Sequence, residues 1–265
     1  MLLVSLVCCL TAQAQSDLLL AKRKVVPDSY DFWVYQPKNY TDTLEKQQTP
    51  LIIFLHGASL CSRNMSRSLR YGPVDAVKMG RYIPALIVTP QNPGGPWNPR
   101  KLNDILEWMK ENYVFDQTRV YVLGMSLGGY GTMDFAGTYP DKIAAAIALC
   151  GGSTLKDLSG LGQLPLWIVH GTADRAVSVR ESKRVVQALK DQDSTAHLRY
   201  DWLTGASHGA LARFFYIDKT YEWLFEHRLN DPERPVNTQV TITQKDLKNA
   251  YRGILHRTAP LDIFN

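Results

Sequence analysis

The 265-residue chain lacks the features that mark several classes of protein. None of its hydrophobic runs reaches the length of about 20 residues that a membrane-spanning helix needs. Its 30 basic and 25 acidic residues are scattered, and no basic stripe is interleaved with aromatic side chains. We find no internal repeat and no low-complexity tract. These absences argue against a membrane-spanning protein, a nucleic-acid-binding protein and a repeat architecture.

The start of the chain has the pattern of a secretory leader. Met1–Ala14 is apolar and ends in Thr-Ala-Gln-Ala, which resembles a signal-peptidase site and predicts cleavage before Gln15. The protein is therefore expected to be secreted or periplasmic, although the positive charge usual at the start of a leader is missing. A core or disordered N-terminus is the alternative, and acylation at Cys8 or Cys9 is a weaker one.

Cysteine is scarce, with 4 residues, and only Cys61 and Cys150 follow the predicted leader. They are expected after the third and sixth strands, whose centres would lie roughly 10 Å apart. A disulfide needs Cα atoms within about 7 Å, so we predict none. Two isolated cysteines also argue against a structural zinc site, and no metal or organic cofactor is implied.

Apolar runs that alternate with helical patterns fill most of the chain. The runs lie at 51–55, 85–89, 119–123, 143–149, 166–170 and 198–203. Leu102–Met109 has the i, i+3, i+4, i+7 apolar spacing of an amphipathic helix. Tyr30–Tyr35 predicts an early strand in an antiparallel first pair. We therefore predict one α/β domain over residues 15–228, with a mostly parallel sheet of about eight strands and helices on both faces.

Residues 229–265 extend beyond this pattern. Val240–Thr243 predicts a short strand and Gln244–Leu255 a helix. The sequence leaves three roles open for this extension: packing on the body, association with another chain, or partial disorder.

The most informative stretch is Gly124-Met-Ser-Leu-Gly128, which lies between an apolar run and a helical pattern. G-x-S-x-G between a strand and a helix is typical of a nucleophile elbow, a sharp turn that exposes a strained serine at the strand tip. A Cβ at either glycine would collide with the neighbouring strand or helix. The pentapeptide alone could be a glycine-rich turn with an incidental serine, but its context makes Ser126 the candidate nucleophile.

A serine nucleophile needs a base and an orienting carboxylate, and in such chains the order is Ser, Asp, His. His208 lies in a small-residue loop after a strand-like run, where catalytic groups of α/β proteins lie, and is the predicted base. Asp174 follows the apolar strand Leu166–His170 and is the predicted acid. Asp201, inside a strand-like run, and Asp157, with no strand directly before it, are weaker candidates.

An oxyanion hole should complete the site. Its donors are usually the backbone N–H of the residue after the nucleophile and one from the loop after the third strand. The first is Leu127, and for the second we assign Ala58, with Ser59 as the runner-up. His56, in the same loop, is expected to be a structural histidine that is hydrogen-bonded within the loop.

These motifs resemble those of α/β-hydrolases of the serine esterase group, which includes feruloyl esterases, polyhydroxybutyrate depolymerase-like enzymes and dienelactone-hydrolase-like proteins. The matching segments are Leu55–Gly57, Val88–Gln91 with Trp97, Asp116–Gly131, Tyr139–Pro140, Cys150–Gly152, His170–Asp174 and Ser207–Gly209. The resemblance spans roughly residues 28–228. True dienelactone hydrolases have a cysteine at the position of Ser126, which argues against that activity.

Two features near the expected site each have two interpretations. Trp97, in a proline-rich loop after the fourth strand, is either a flat wall of an acyl or sugar pocket or a plug over the core. The resemblance favours the pocket, so we predict that Trp97 binds substrate. Arg63, Arg67 and Arg70 follow the oxyanion loop and either attract an anionic substrate or form a solvated helix face, which we favour.

The sequence thus predicts a secreted serine carboxylesterase that acts on small-molecule or oligosaccharide esters, with feruloyl or acetyl esters of plant polysaccharides as candidates. The short connection Gly151–Leu164 leaves little room for a lid, so an open site is expected. A serine peptidase of the prolyl-oligopeptidase type is the alternative, because such enzymes share a similar core. A non-catalytic binding protein is disfavoured, since every triad position is filled. The oligomeric state is not readable.

Overall fold

The computed structural model of the chain describes residues 17–254 and the backbone of residues 262–264. The predicted leader Met1–Ala14, with Cys8 and Cys9, lies outside the described residues. Among the helices of residues 17–254, none is long and apolar enough to cross a membrane.

Within the described residues, nine strands form one sheet. They are β1 (Leu18–Lys22), β2 (Phe32–Gln36), β3 (Leu51–Leu55), β4 (Leu86–Pro90), β5 (Val120–Met125), β6 (Ala145–Leu149), β7 (Leu166–Gly171), β8 (Leu198–Leu203) and β9 (Asp262–Phe264). Their order across the sheet is β8-β7-β6-β5-β3-β4-β2-β1-β9. Neighbours from β3 to β8 pair in parallel, whereas β2 is antiparallel to both β1 and β4. The predicted α/β fold is confirmed, and β9 adds a short edge beside β1.

Helices lie between the strands. They are α1 (Thr43–Gln48), α2 (Pro73–Lys78), α3 (Pro99–Asn112), α4 (Leu127–Thr138), α5 (Val179–Asp191), α6 (His208–Leu211), α7 (Asp218–Phe225) and α8 (Gln244–Lys248). The predicted helix Leu102–Met109 is the centre of α3, which begins with Pro99 after a side-chain cap from Asn98. Short 3-10 turns lie at Ala58–Leu60, Met65–Leu69, Ser159–Gln163 and Ala212–Tyr216.

Both faces of the sheet are covered, which explains the continuous apolar runs. Along β3, Ile53 and Leu55 pack in one core cluster and Ile52 and Phe54 in the other, because successive side chains of a strand point to opposite faces. The first cluster includes side chains of α3, α4 and α5, and the second includes those of α2, α7 and α8. The parallel strands therefore all end at one polar edge, where the loops after them meet.

The described part of the extension, residues 229–254, packs on the body. Ile242, Leu247 and Ala250 are buried in the same cluster as α2 and α7. The Arg234 guanidinium donates to four backbone carbonyls of the body, those of Pro140, Ile143, Ala144 and Gln163. These contacts tie the extension to the helix layer on one face of the sheet.

Two local predictions for this extension are wrong. Val240–Thr243 is not a strand, because the Val240 N–H donates to the Asn237 side chain and the Thr241 oxygen accepts from the Lys219 ammonium of α7. The predicted helix Gln244–Leu255 begins where expected, after a capping box between Thr243 and Asp246, but it ends at Lys248.

Candidate active site

Ser126 occupies the sharp turn between β5 and α4. Its backbone has φ 60° and ψ −123°, a strained conformation for any residue other than glycine. A Cβ at Gly124 or at Gly128 would collide with the Leu55 carbonyl, as the elbow interpretation expects. The Ser126 N–H donates to the Leu149 oxygen at 2.9 Å, which fixes the turn on β6. The hydroxyl therefore projects from the polar edge, on backbone held by its neighbours.

His208 begins α6 and is hydrogen-bonded to Asp174, in the loop after β7. The Nδ1–Oδ2 distance is 2.7 Å. Because the carboxylate accepts, Nδ1 carries the proton and Nε2 is left as the basic nitrogen. Oδ1 of Asp174 accepts the N–H groups of Ala176 and Val177 at 2.8 and 2.9 Å. Burial raises the pKa of Asp174, but the hydrogen bonds from Val177, His208 and Ala176 outweigh it and hold the pKa below its usual value.

The two weaker acid candidates have other partners. Asp201 accepts from the Trp167 indole at 2.6 Å and from Arg199 at 3.1 Å, on the far side of β7 and β8 from the loop of His208. Asp157 caps its own turn by accepting from the Ser159 N–H. Asp174 is thus the carboxylate that the fold brings to His208.

His170 also contacts the carboxylate of Asp174, and sequence reasoning missed this contact. Its Nε2 lies 3.3 Å from Oδ2 of Asp174 and 3.0 Å from the Val177 oxygen. Nδ1 lies 2.7 Å from the Ser182 hydroxyl, which in turn lies 2.6 Å from the Gly151 oxygen. Burial lowers the pKa of His170. The available clue was a histidine four residues before the acid, at the end of a buried strand.

Cys150 lies between Ser126 and the hydrogen-bonded pair of Asp174 and His208. Its sulfur, a carboxylate oxygen of Asp174 and a ring nitrogen of His208 all lie within 4.8 Å of one another. Cys150 directly follows Leu149, which accepts the Ser126 N–H, so Ser126 and His208 border the same buried thiol. In the described structure, the Ser126 hydroxyl makes no hydrogen bond to His208. In many enzymes the corresponding contact between nucleophile and base tightens only when substrate binds.

Cys150, Asp174 and His208 also offer three metal-ligating atoms, the only such group that the described residues contain. A metal ion there would displace the Asp174–His208 hydrogen bond, and burial raises the pKa of the Cys150 thiol above its usual value. Cys61 and Cys150 are both free thiols.

The predicted oxyanion donors lie on either side of Ser126. Leu127 is the first residue of α4, and Ala58 begins the 3-10 turn after β3. A Cβ at Gly57 would lie 3.3 Å from the Cβ of Ser126, so this loop borders the nucleophile. Within the described part of the chain, neither the Leu127 nor the Ala58 N–H has a protein acceptor. Two amides are therefore free beside the serine, as an oxyanion hole requires.

His56 holds this loop from inside. It is fully buried, its Nδ1 lies 2.9 Å from the Gly57 oxygen, and its Nε2 accepts the Asn92 N–H at 3.1 Å. Burial lowers the pKa of His56 to about 4, so the ring is neutral at pH 7. The Gln91 amide adds a donor to the Leu60 oxygen at 2.9 Å. The structural role expected for His56 agrees with these contacts.

Trp97 does not line a pocket in this structure. Its side chain is 3% exposed, and the indole N–H donates to the His56 oxygen at 3.2 Å. The ring packs edge-on against Tyr30 and His56 and fills the space where Gly131 of α4 lacks a Cβ. The structure therefore supports the alternative interpretation of Trp97, a plug over the core, and not the predicted wall of a substrate pocket. Gly131 makes this possible, because the absence of a Cβ there lets the loop fold inward.

An open cavity of about 580 Å³ lies at His208. It is lined by Ala173, Arg175, Ala176, Ser207, His208 and Gly209. Its side chains, most of them small, leave the His208 ring accessible from solvent. The connection between β6 and β7 contributes only the short turn Ser159–Gln163, so no lid covers the cavity from that side.

Known proteins resemble this chain in sequence and in fold. Residues 98–217 match the dienelactone hydrolase family. A bifunctional acetylxylan esterase/xylanase of Neocallimastix patriciarum is 26% identical over 170 residues, which are 61% of this chain and 24% of the relative. A probable acetylxylan esterase A of Aspergillus clavatus is 24% identical over 180 residues, 64% of this chain and 58% of the relative. The chain thus spans about a quarter of the length of the first relative and somewhat over half of the length of the second.

Among solved structures, a thermostable esterase has a TM-score of 0.63 at 22% identity, over 81% of this chain and 64% of the other. This likeness shows the fold. Together with the family match and the two relatives, it confirms the resemblance to α/β-hydrolase esterases. The same findings support the prediction of an enzyme of the carboxylic ester hydrolase class.

Proposed function

We propose that this chain is a serine carboxylesterase that hydrolyses acetyl or feruloyl esters of plant polysaccharides through an acyl-enzyme on Ser126. One arrangement carries the proposal: a strained, half-buried serine at the same sheet edge as a His208–Asp174 hydrogen bond of 2.7 Å, with two free amides next to the serine. A serine on a glycine-flanked turn has no evident structural role that would explain its strained backbone.

In the proposed first step, Nε2 of His208 accepts the hydroxyl proton as Oγ of Ser126 attacks the ester carbonyl. Asp174 holds the Nδ1–H and stabilises the imidazolium that forms. The tetrahedral oxyanion accepts hydrogen bonds from the N–H groups of Leu127 and Ala58, and each such donor typically contributes about 3–4 kcal/mol to lowering the barrier. Collapse of this intermediate releases the alcohol, which takes the proton from His208.

In the second step, His208 removes a proton from water, which attacks the acyl-enzyme carbonyl. The same two amides hold the second oxyanion, and its collapse breaks the bond to Oγ. The acid leaves, and Ser126 regains its proton from His208. Proton and electron-pair movements balance without any further reactant.

The choice of ester rests on the relatives and on the open site. Two relatives are named acetylxylan esterases, and the sequence motifs resemble those of feruloyl esterases. An uncovered cavity beside the base admits a bulky alcohol such as a sugar more readily than a narrow tunnel would. Esters are also intrinsically easier to cleave than amides, which favours esterase over peptidase activity.

A four-substrate panel tests the proposal. We expect measurable kcat/KM for p-nitrophenyl acetate, and for methyl ferulate or an acetylated xylo-oligosaccharide, with a Gly-Pro anilide poorest. An organophosphonate should label Ser126, and Ser126→Ala should lower kcat by on the order of 10⁶ without changing the circular dichroism spectrum. If the anilide is the best of the four substrates, the peptidase interpretation replaces this one. Labelling at another serine would refute the nucleophile.

Secretion belongs to the same proposal and rests on the Met1–Ala14 pattern. Expression in a bacterial host followed by N-terminal sequencing of exported protein should give Gln15 as the first residue. Retention of the intact N-terminus in the cytoplasm would contradict it.

A further inference from the structure

Positive side chains flank the nucleophile on both sides of the catalytic edge. On one side, Arg175 follows β7 and lines the cavity that contains His208. Arg175 is the only residue of permanent charge among the six that line this cavity, and the others beside His208 are alanine, serine and glycine. A bound molecule in contact with His208 therefore meets one fixed positive charge.

On the other side, a cleft of about 350 Å³ is lined by Lys24, Arg63 and Lys101 together with Tyr30 and Asp31. The Asp31 carboxylate, which accepts the backbone N–H of Lys24 at 2.8 Å, also lines this cleft and offsets one of its positive charges. The Lys101 ammonium lies 5.5 Å from the centre of the Tyr30 ring. The cleft thus combines three cations, one carboxylate and an aromatic side chain, so its net charge is positive.

These cations have no carboxylate partners. Within the described residues, no Asp or Glu lies within ion-pair distance of Lys24, Arg63, Lys101 or Arg175. By contrast, Arg67, which the sequence grouped with Arg63, donates to the Ser59 oxygen at 2.7 Å and braces the loop that holds Ala58. The structure therefore separates Arg63 from its sequence neighbour and groups it with residues from two other segments.

The spacing of the two groups follows from the strand order. The sheet runs β7-β6-β5-β3-β4, with Ser126 at the end of β5. Arg175 follows β7, two strands to one side, and the cleft lies at the ends of β3 and β4, one and two strands to the other. At about 4.8 Å per strand, each group lies roughly 10 Å from the nucleophile along the edge. A small acyl group cannot reach both, but an extended chain can.

We propose that the catalytic edge binds an extended acidic oligosaccharide, with carboxylates of uronic acid units held by Arg175 on one side of Ser126 and by Lys24, Arg63 and Lys101 on the other. This inference rests on the proposed function and narrows its substrate class, from plant polysaccharide esters to esters on acidic chains. Arginine pairs well with carboxylates through its planar fork, and Tyr30 offers an aromatic side chain beside the charges.

The test compares two acetylated xylo-oligosaccharides that differ only in a glucuronic acid substituent. The wild-type enzyme should have a lower KM for the acidic one, and added salt should shrink this advantage because exposed charges are screened beyond ~10 Å at 0.1 M ionic strength. Arg175→Gln and Arg63→Gln should each raise the KM for the acidic substrate roughly two- to five-fold, more than for the neutral one. The double variant should bring the two KM values together.

Lys190→Gln is the matched control. Lys190 lies in the last turn of α5, where its ammonium donates to the Tyr200 hydroxyl at 3.0 Å, and it lines neither of the two cavities. This variant should keep the wild-type ratio of KM values. If it lowers the ratio as much as Arg175→Gln does, the effect is one of net charge and the two cation groups are not a binding site.

Binding to the Ser126→Ala protein separates this inference from the proposed function. Calorimetry with the unacetylated glucuronic acid-substituted oligosaccharide should show binding that Arg175→Gln weakens, whether or not the acetyl ester is a substrate. Equal binding of acidic and neutral oligosaccharides, or none of either, would overturn the inference. In that case hydrolysis of the neutral acetylated oligosaccharide would leave the esterase proposal standing.

Discussion

The loops on the two sides of Ser126 are built on different principles. On the β3 side, His56, Gln91 and Trp97 are all buried and hydrogen-bonded to backbone, and a neutral histidine holds the turn that carries Ala58. On the β7 side, His208 lines an open cavity, and the Asp174 carboxylate to which it is hydrogen-bonded is buried. On the first side, buried side chains fix a turn whose residue Ala58 is itself exposed. On the second side, the His208 ring is accessible while its carboxylate partner is buried.

This contrast has a physical reason. Oxyanion donors stabilise developing charge best when they need not reorganise, so their loop gains from being part of the core. A general base must exchange protons with substrate and water, so it has to be reached from solvent. Changes on the β7 side should therefore reduce turnover, whereas changes on the β3 side should reduce stability.

The largest effect is expected at Asp174. Asp174→Asn should lower kcat by about 10⁴, because an amide cannot stabilise the imidazolium and can hold the wrong tautomer of His208. Unfolding in urea should change much less than turnover does. Asp201→Asn is the control, since the Asp201 carboxylate accepts hydrogen bonds from Trp167 and Arg199. The kcat of this variant should stay near the wild-type value. An equal loss of kcat in the two variants would contradict a catalytic role for Asp174 that Asp201 does not share.

Trp97→Ala tests the other side. Removing a buried tryptophan should lower the free energy of unfolding by about 3–5 kcal/mol, as other large-to-small changes in cores do. The half-exposed Tyr82 provides the control, and Tyr82→Ala should change stability little. Urea denaturation of both variants makes the measurement. A higher KM with unchanged stability in Trp97→Ala would instead restore the pocket-wall role predicted from the sequence.

The smallest effect concerns His56 and pH. Its pKa is lowered by burial from 6.5 to about 4, so the unfolded chain takes up this proton before the folded one does. The contribution of neutral His56 to the free energy of unfolding is fully present above pH 6.5. It is lost as the pH falls from 6.5 towards 4, by up to about 3 kcal/mol. Protonation of Nε2 would also break its hydrogen bond from the Asn92 N–H.

The measurement compares wild type with His56→Gln at pH 7 and at pH 4.5 by urea unfolding. The variant should be less stable than the wild type at pH 7. The difference between their free energies of unfolding should be smaller at pH 4.5, because only the wild type has this histidine to protonate. A gap that is the same at both pH values would show that His56 does not titrate as a buried neutral group. His170 and His227, whose pKa values burial also lowers, are present in both proteins and cancel in the comparison.

Sequence reasoning succeeded where the information is local. The parallel strands are continuous apolar runs because both faces of the sheet are covered, and α3 follows the helical spacing of Leu102 to Met109. The turn at Ser126 was predictable because the spacing of its glycines is a local pattern, although the contact that requires them is in part with Leu55 on β3. The order of Ser126, Asp174 and His208 then followed from loops at one edge of a parallel sheet.

Tertiary structure decided what depends on residues far apart in the chain. Trp97 is a plug because Gly131, on another element, leaves room for its ring. Val240–Thr243 is not a strand because its backbone is hydrogen-bonded to side chains, including that of Lys219 in α7. The contact of His170 with Asp174 joins residues only four apart, but it forms because the loop after β7 turns back on the strand, which hydrophobic periodicity does not predict. Arg63 joins Lys24 and Lys101 because β3 and β4 end beside the start of the antiparallel strand β2. Hydrophobic periodicity specifies elements, but only packing specifies which side chains meet.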